Sequence, residues 1–552
     1  MSDRSLRAAL EAHRRGDGPA AQRAYEQVLA ETRSNQTALI NLAALMKGQG
    51  QPERAVSLLC RALEAGGDPV SEHFNLGNAF SAGGDVAKAI GHWTKVLAIE
   101  PHHGGALTNL GLARRRRGEL HQAQELLARA VDATPGRATS WSNLGLILID
   151  RCQFKAAEQC LRRALALEPV SESAAIELAH CLKQATRYRE AWDILERISN
   201  GGRKRPRWRM VAGHLAAAEG QNDVARSLFE GLLADGAGKS DETVEWAALG
   251  LAGVALREGA FGEGFRLFER RYGALLTRPA APGRWWQGEP LCDKTLLLLA
   301  EQGLGDCLQF LRFVPRLVPS ARRILVALPA PLRDLVAAQN WPVEVVDDRR
   351  LDALGDVDFH LTLPSLPARL GVDGPGGLGG GRYLVAARRA QIDQRFRAWR
   401  REHRLLIGIA WAGNAANPID HARSARLTDL LALAALPQVK LISLQPDKGE
   451  EIRAAGADAL ITDLSADIRS LADTAAMIGH LDLTISVDTA VAHLAGALGA
   501  PVTVLLAPNS DWRWPHEGRS FWYPQASLRW RRPEQSWSQM FEDLAAELAQ
   551  TP

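Results

Sequence analysis

Alanine recurs every 34 residues through the first 240 positions of this 552-residue chain: Ala21, Ala55, Ala89, Ala123, Ala157, Ala191 and Ala225 keep step without slippage. Other positions hold the same phase. Leu42, Leu76, Leu110, Leu144 and Leu178 occupy one, with Gly77, Gly111 and Gly145 directly after three of them. Tyr25, Leu59, Trp93, Leu127, Leu161, Leu195 and Phe229 occupy another, and Pro101, Pro135 and Pro169 close three units. A fixed period of this length restricts the fold to stacked copies of one supersecondary unit, because each copy buries its apolar face only against its neighbours. Small Ala and Gly suit the close approach of paired helices, large apolar residues fill the space between pairs, and Pro ends the second helix.

These residues resemble the tetratricopeptide repeat, whose pattern is W-x2-L-G-x2-Y, then A-x3-F, then Pro. The unit from Trp141 through Leu144, Gly145, Ala157, Leu161, Ala164 and Pro169 fits it most closely. The resemblance implies a superhelix over residues 1–275 with a concave groove that takes a protein or peptide; scaffolding or oligomerisation is the other use of such a stack. Seven units are in phase. A degenerate eighth (Leu251, Gly264, Phe268) follows a short insertion near Gly236 to Asp241.

After Pro279 the pattern changes. A Pro/Gly-rich segment, RPAAPGRWWQGEP, is expected to link (276–290) into strands that alternate with helices. LLLLA, ILVALP, VEVV and FHLTL read as strands of a first lobe, 291–385. A glycine-rich run from Gly371 to Gly381 and a polar helix near Ala390 to Arg400 follow, with the inter-lobe connection at 386–404. LLIGIAWAG, VKLISLQ, ALITDL, LDLTISV and PVTVLLA read as strands of a second lobe, 405–552, closed by a helix over Trp537 to Ala549. The expected class is α + α/β: an all-α solenoid followed by two parallel-sheet lobes that face each other across a cleft.

Net charge is +3, from 66 basic and 63 acidic residues, which gives no reason to expect nucleic acid or an anionic membrane as the main partner. The basic clusters at Arg114 to Arg117 and Arg203 to Arg209 fall inside the helical repeats and read as solvated faces. Six cysteines without metal spacing read as reduced thiols. With no apolar leader at the N-terminus and no bilayer-length run, a soluble cytoplasmic protein without a transmembrane segment is expected.

The segment SVDTAVAHLAGALGAPV, Ser486 to Val502, carries an apolar strand into a helix of small residues. Asp488 and Thr489 stand at the helix start, and either would cap it. Small residues let this helix lie close on the sheet, so its positive end reaches the carboxyl edge of the strands and suits a phosphate. Ala490 continues the turn, and His493 faces either the cleft or the sheet. Asp488 itself repels phosphate, so capping or a bond to a sugar hydroxyl suits it better. In LLLLAEQGLGDCLQFLRF a buried strand meets Gln302, Gly303 and Gly305, whose glycines allow a tight turn and close approach by a ligand. A dinucleotide loop is excluded: Leu308 replaces the third glycine, and ILVALP ends without the acidic residue that would hold a ribose. Asp306 reads as a helix N-cap, as a general base, or as both. In IAWAGNAANPIDHARSARL, Gly413 and Asn414 make the strand exit, and Arg423 with Ser424 offers a diphosphate clamp. Gln445 and Lys448 in LISLQPDKGEE are weaker candidates of the same kind.

Residues 294–530 resemble the heptosyltransferase-type glycosyltransferases in their bacterial form fused behind tetratricopeptide repeats. AEQGLGDCLQF, GIAWAGN with Arg423-Ser424, LISLQ, LADTAAMI, SVDTAVAHLAGALGAPV and DWRW followed by WYP carry the likeness. It implies the GT-B fold and a nucleoside-diphosphate sugar as co-substrate. It also implies inverting transfer to an acceptor hydroxyl, no metal and no further cofactor. Asp306 matches the proposed base; Asp488, Thr489, Ala490 and His493 match the donor-binding helix; Gly413, Asn414 and Arg423 match the diphosphate loop. Related chains often carry a His-Lys pair between Asn414 and Arg423, where Ala416, Asn417, Pro418 and Ile419 stand here. Two alternatives follow: a non-catalytic repeat scaffold with a degenerate transferase domain, or a transferase acting on a glycan or lipopolysaccharide acceptor.

Overall fold

The computed structural model describes residues 2–236, 242–414, 420–508 and 510–550. The insertion expected near Gly236 to Asp241 falls almost wholly outside these residues, and the departure at Ala416, Asn417, Pro418 and Ile419 falls entirely outside them. The chain divides into two compact units, Met1–Leu182 and Lys183–Pro552.

The first unit is a run of helix pairs, from Ser2–Arg14 with Gly18–Glu31 to Ala138–Asp150 with Phe154–Leu167. The 34-residue phase is a packing code. Ala21, Ala55, Ala89, Ala123 and Ala157 are fully buried on the second helices. A Cβ at Gly77 would stand 2.4 Å from the Trp93 ring, at Gly111 2.8 Å from Leu127, and at Gly145 2.7 Å from Leu161. The glycine phase on one helix therefore exists to admit the large-residue phase on its partner.

The second unit opens with repeat-type helices, Tyr188–Glu196, Pro206–Ala218, Asn222–Asp235, Glu242–Glu258 and Phe261–Phe268. Two parallel sheets follow. The first is built from β1 (Arg284–Trp285), β2 (Thr295–Leu299), β3 (Arg323–Leu328), β4 (Glu344–Asp347) and β5 (Phe359–Thr362), in the order β1-β5-β2-β3-β4. The second uses β6 (Leu405–Ala410), β7 (Val439–Ser443), β8 (Ile461–Thr462), β9 (Leu483–Val487), β10 (Val502–Leu506) and β11 (Ala526–Trp530), in the order β11-β10-β9-β6-β7-β8. The fold is α + α/β, as the sequence pattern predicts. Two strands escape that pattern: β1 lies inside the segment expected to be a linker, and β11 lies among the closing aromatic motifs. Both are edge strands, where half-exposed residues break the apolar run by which buried parallel strands are recognised.

The closing helix (Trp537–Gln550) packs on the second lobe, where Met540, Phe541 and Leu544 share a core with Ile407, Leu433 and Leu505. On the other side of the unit, Phe261, Phe265 and Phe268 of the last repeat helix join one continuous core with Phe310 of the first lobe and Trp514 and Trp522 of the second. The repeat helices of this unit are thus a third wall of the α/β body. No described helix is long and apolar enough to cross a membrane.

Candidate functional site

Strand order reverses between β5 and β2 in the first sheet and between β9 and β6 in the second. Ligands of open parallel sheets bind outside the carboxyl ends at such switch points. The chain leaving β2 supplies residues 302–306, that leaving β6 supplies 412–414, and that leaving β9 supplies 488–490. All three line one cleft of about 820 Å³ between the lobes.

Of the residues expected from sequence, Gln302, Gly303, Gly305 and Asp306 line this cleft from the first lobe. Gly413, Asn414, Arg423, Gln445, Asp488, Thr489, Ala490 and His493 line it from the second. Ser424 and Lys448 do not. The Ser424 hydroxyl donates to Asp420 and accepts from the Gly413 N–H, bridging the loop to the strand exit. The Lys448 ammonium pairs with Glu451 at 2.9 Å.

Asp306 is the third residue of its helix (Leu304–Leu311), not the cap. Its Oδ2 accepts the Gly303 N–H at 3.0 Å, reaching back to a donor the helix leaves unpaired. The tight turn falls one residue earlier than the glycines suggest: Gln302 takes φ +65° and Gly303 is extended at φ −87°. Gly305 admits a side chain instead. A Cβ there would meet the His493 ring at 2.8 Å, so this glycine lets the His493 helix (Ala490–Ala497) of the second lobe lie against the Asp306 helix.

Thr489, not Asp488, caps the His493 helix, its hydroxyl accepting the Val491 N–H at 3.3 Å. Asp488 is left facing the cleft. Burial, reinforced by Asp511, raises its pKa to about 6, against the pull of Trp514, Arg513 and Arg423. His493 donates to or accepts from the Tyr523 hydroxyl through Nδ1 at 3.0 Å, and its ring lies 5.3 Å from that of Trp514. Burial, with Arg513, Arg312 and Arg423 nearby, lowers its pKa to about 3. The imidazole is therefore neutral near pH 7, and its 3.8 Å approach to Asp488 is not an ion pair.

Arg423 reaches the cleft with its Nε on Asp420 Oδ1 at 3.0 Å. A Cβ on Gly413 would stand 2.0 Å from Asp420 and 2.7 Å from the Arg423 guanidinium, so glycine is needed for that pair to lie against the strand exit. Gln445 is a bracket: its amide accepts from the Trp411 and Ala412 N–H groups and donates to the Ala412 carbonyl.

Arg513 is a charged cleft residue that sequence reasoning missed. It lies on the segment between β10 and β11 and is only 7% exposed. Its guanidinium binds Asp306 Oδ1, donates to Gln309 Oε1 at 2.6 Å, and meets Asp511 Oδ1 at 2.6 Å. Burial opposes its charge, but Asp306, Asp511 and Asp488 outweigh that and hold it more firmly protonated than usual. The only signal in the sequence was the DWRW cluster, which marked the segment without showing where its arginine points. Asp306 carries the counterpart shift: burial raises its carboxyl pKa, Arg513 works against this, and Asp511 adds to it.

The Asp488 shift has a stability consequence. A folded pKa above the unfolded value of 3.8 means that the native chain binds this proton more tightly. The resulting stabilisation is complete below pH of about 4 and is lost as pH rises to about 6. Above that the buried carboxylate disfavours folding by an amount on the order of 2–3 kcal/mol. Asp488→Asn is therefore expected to raise stability at pH 7.5 by ~1–3 kcal/mol and to flatten its pH dependence between about 4 and 6. Urea melts at pH 5 and 7.5 measure this; a destabilised variant at pH 7.5 contradicts it.

Comparison with known proteins agrees with both halves. The profile of glycosyltransferase family 9 (heptosyltransferase) matches residues 421–537. Tetratricopeptide-repeat profiles match residues 12–76, 148–215 and 108–171. Protein FlbA of Caulobacter vibrioides is 27% identical over 326 residues, 52% of this chain and 52% of its own; the chain thus spans about half the length of that curated relative. Among solved structures, a tetratricopeptide repeat protein from Parabacteroides merdae is 15% identical, over 45% of this chain and 98% of its own, with a TM-score of 0.39. PilF of Pseudomonas aeruginosa is 24% identical, over 37% and 93%, with a TM-score of 0.33. The chain carries tetratricopeptide repeats in its N-terminal region and a glycosyltransferase family 9 domain in its C-terminal region.

Proposed function

We propose that the cleft transfers a sugar from a nucleoside-diphosphate donor to an acceptor hydroxyl in one inverting displacement on a GT-B scaffold. The observation that carries this is the meeting, in one cleft, of Asp306 from the first lobe with the capped start of the His493 helix, Arg423 and Arg513 from the second. The acceptor oxygen forms its bond to the anomeric carbon as the bond from that carbon to the diphosphate oxygen breaks. The bonding electrons leave with the nucleoside diphosphate, and the acceptor proton passes to Asp306. Charge growing on the departing diphosphate is met by the Ala490 end of the helix and by the two arginines. Neutralisation by guanidinium groups is the basis for assigning a metal-independent reaction.

Gln302, Gly303 and Gly305 border the acceptor side. The repeats suit recruitment of a protein acceptor or partner, and labelled donor added to lysate would distinguish protein from glycan as the labelled product.

Thermal shift and calorimetric titration with UDP, GDP, ADP and CDP test donor binding directly. At least one is expected to bind, and Arg423→Ala is expected to weaken it by ~10- to 100-fold, the loss of one charge-assisted contact of ~1.5–3 kcal/mol. Unchanged affinity in the variant would refute the arginine's role. Failure of every nucleotide to bind would favour a repeat scaffold with an inert transferase domain.

A further inference from the structure

Arg513 and Asp306 form an ion pair, which suits neither a diphosphate ligand nor a general base. We propose that Arg513 is a latch shared between them: without donor it holds Asp306 in an ion pair, and the donor diphosphate takes the guanidinium and frees the carboxylate to act as base. The proposal rests on the transferase reading of the cleft.

Charge and geometry together carry it. The cleft is lined by four carboxylates (Asp306, Asp447, Asp488, Asp511) and three arginines (Arg423, Arg469, Arg513). A diphosphate adds at least two negative charges, so existing ion pairs must be redirected or protons taken up. Arg423 is already engaged by Asp420 on its own loop. Arg513 presents Nη1 and Nη2 to two different carboxylates, a fork that a diphosphate can accept from both prongs. Its remaining nitrogen, Nε, donates to Gln309, a fully buried amide on the Asp306 helix. That bond fixes the base of the fork while its prongs exchange partners.

The groups that face Arg513 set the expected proton balance. Asp306 stands on the first-lobe helix, Asp511 on the arginine's own segment, and Asp488 at the end of β9. Arg423 and Arg513 both act on Asp488, while Glu301 and Asp511 act on Asp306 beside Arg513. His493 and Tyr523, also near, stay neutral around pH 7. When the guanidinium turns to the diphosphate, Asp306 and Asp488 lose their cation and gain an anionic neighbour. Both become more basic: Asp488, whose pKa already stands at about 6, takes up the proton from solvent, while Asp306 gains basicity toward the acceptor hydroxyl.

The test is calorimetric titration of the full chain at pH 6.5 with the nucleoside diphosphate that binds best among UDP, GDP, ADP and CDP, in two buffers of different ionisation enthalpy. Net uptake of a substantial fraction of one proton is expected. Arg513→Met should bind ~10-fold or more weakly and take up fewer protons. Asp306→Asn, which keeps an acceptor for the Gly303 N–H, should bind ~3–10-fold more tightly, because the competitor for the guanidinium is gone. Binding without proton uptake, or unchanged affinity in Asp306→Asn, overturns the latch and leaves the transferase reading standing. Failure of all four nucleotides to bind overturns both.

Discussion

Asp306→Asn is expected to lower sugar transfer by ~10²-fold or more while donor binding is retained or tightened. The amide matches the carboxylate in size and still accepts the Gly303 N–H, so the loop and the start of the Leu304–Leu311 helix keep their geometry. What is lost is a group that can take a proton from the acceptor. The deficit should fall on kcat, because the missing interaction belongs to the transition state and not to the ground state. Single-turnover assays with labelled donor at saturating concentration would read it, and thermal shift with nucleoside diphosphate would verify that the cleft is intact. A variant with wild-type kcat would remove Asp306 from the chemistry and with it the proposed direction of attack.

The largest expected loss of stability is at Arg271. This arginine, from the short helix Arg271–Ala274, is fully buried. It reaches Glu301 at 2.7 Å, Glu269 at 2.8 Å, the Ser365 hydroxyl at 2.7 Å and the Phe268 carbonyl at 3.2 Å. Tyr272 joins the same cluster through Glu301 and Thr362. Arg271→Ala leaves the Glu301 carboxylate largely buried without its cation and Glu269 with only Arg369 at 3.4 Å, a change that typically destabilises by ~3–5 kcal/mol. Lysine would not rescue it well, since one ammonium cannot reproduce the planar fork. Glu301 also precedes Gln302, whose left-handed backbone persists because its surroundings hold it there. The loop into Asp306 should therefore loosen in the same variant. Thirteen of the fifteen tryptophans lie after Leu182, so denaturant melts followed by tryptophan emission report mainly on the unit that contains this cluster. A loss below about 1 kcal/mol would mean that water or a shifted partner replaces the guanidinium.

The repeats were legible because every copy repeats its packing solution: a buried Ala, and a Gly that admits a large residue 16 positions on, as Gly111 admits Leu127. The inner strands were legible because parallel sheets covered on both faces leave near-continuous apolar runs. The edge strands Arg284–Trp285 and Ala526–Trp530 left no such run. The segments named from sequence line one cleft, while details that only neighbours decide came out differently. Asp306 sits third in its helix, and Thr489 takes the capping role that Asp488 would equally fill by residue type. The spacing Gly303-x-x-Asp306 resembled a reciprocal cap and was the one local clue to the first. Arg513 was illegible, because its meaning comes from Asp306, 207 positions earlier. The partnership of Phe261, Phe265 and Phe268 with the α/β body was hidden for a related reason: each reads equally well as repeat interior.

That partnership sets how the chain can be divided. Trp512 stacks edgewise on Phe265 and Phe268, Phe521 on Phe261, and Trp522 on Phe261, Phe265 and Phe310. The segment bearing these tryptophans also bears Arg513. A recombinant fragment begun at the start of the α/β sequence would bare a greasy aromatic face and unmoor the arginine beside Asp306, so inactivity in such a fragment would say nothing about the intact protein. The smallest piece worth expressing keeps the last helices of the solenoid, at least from Glu242 onward.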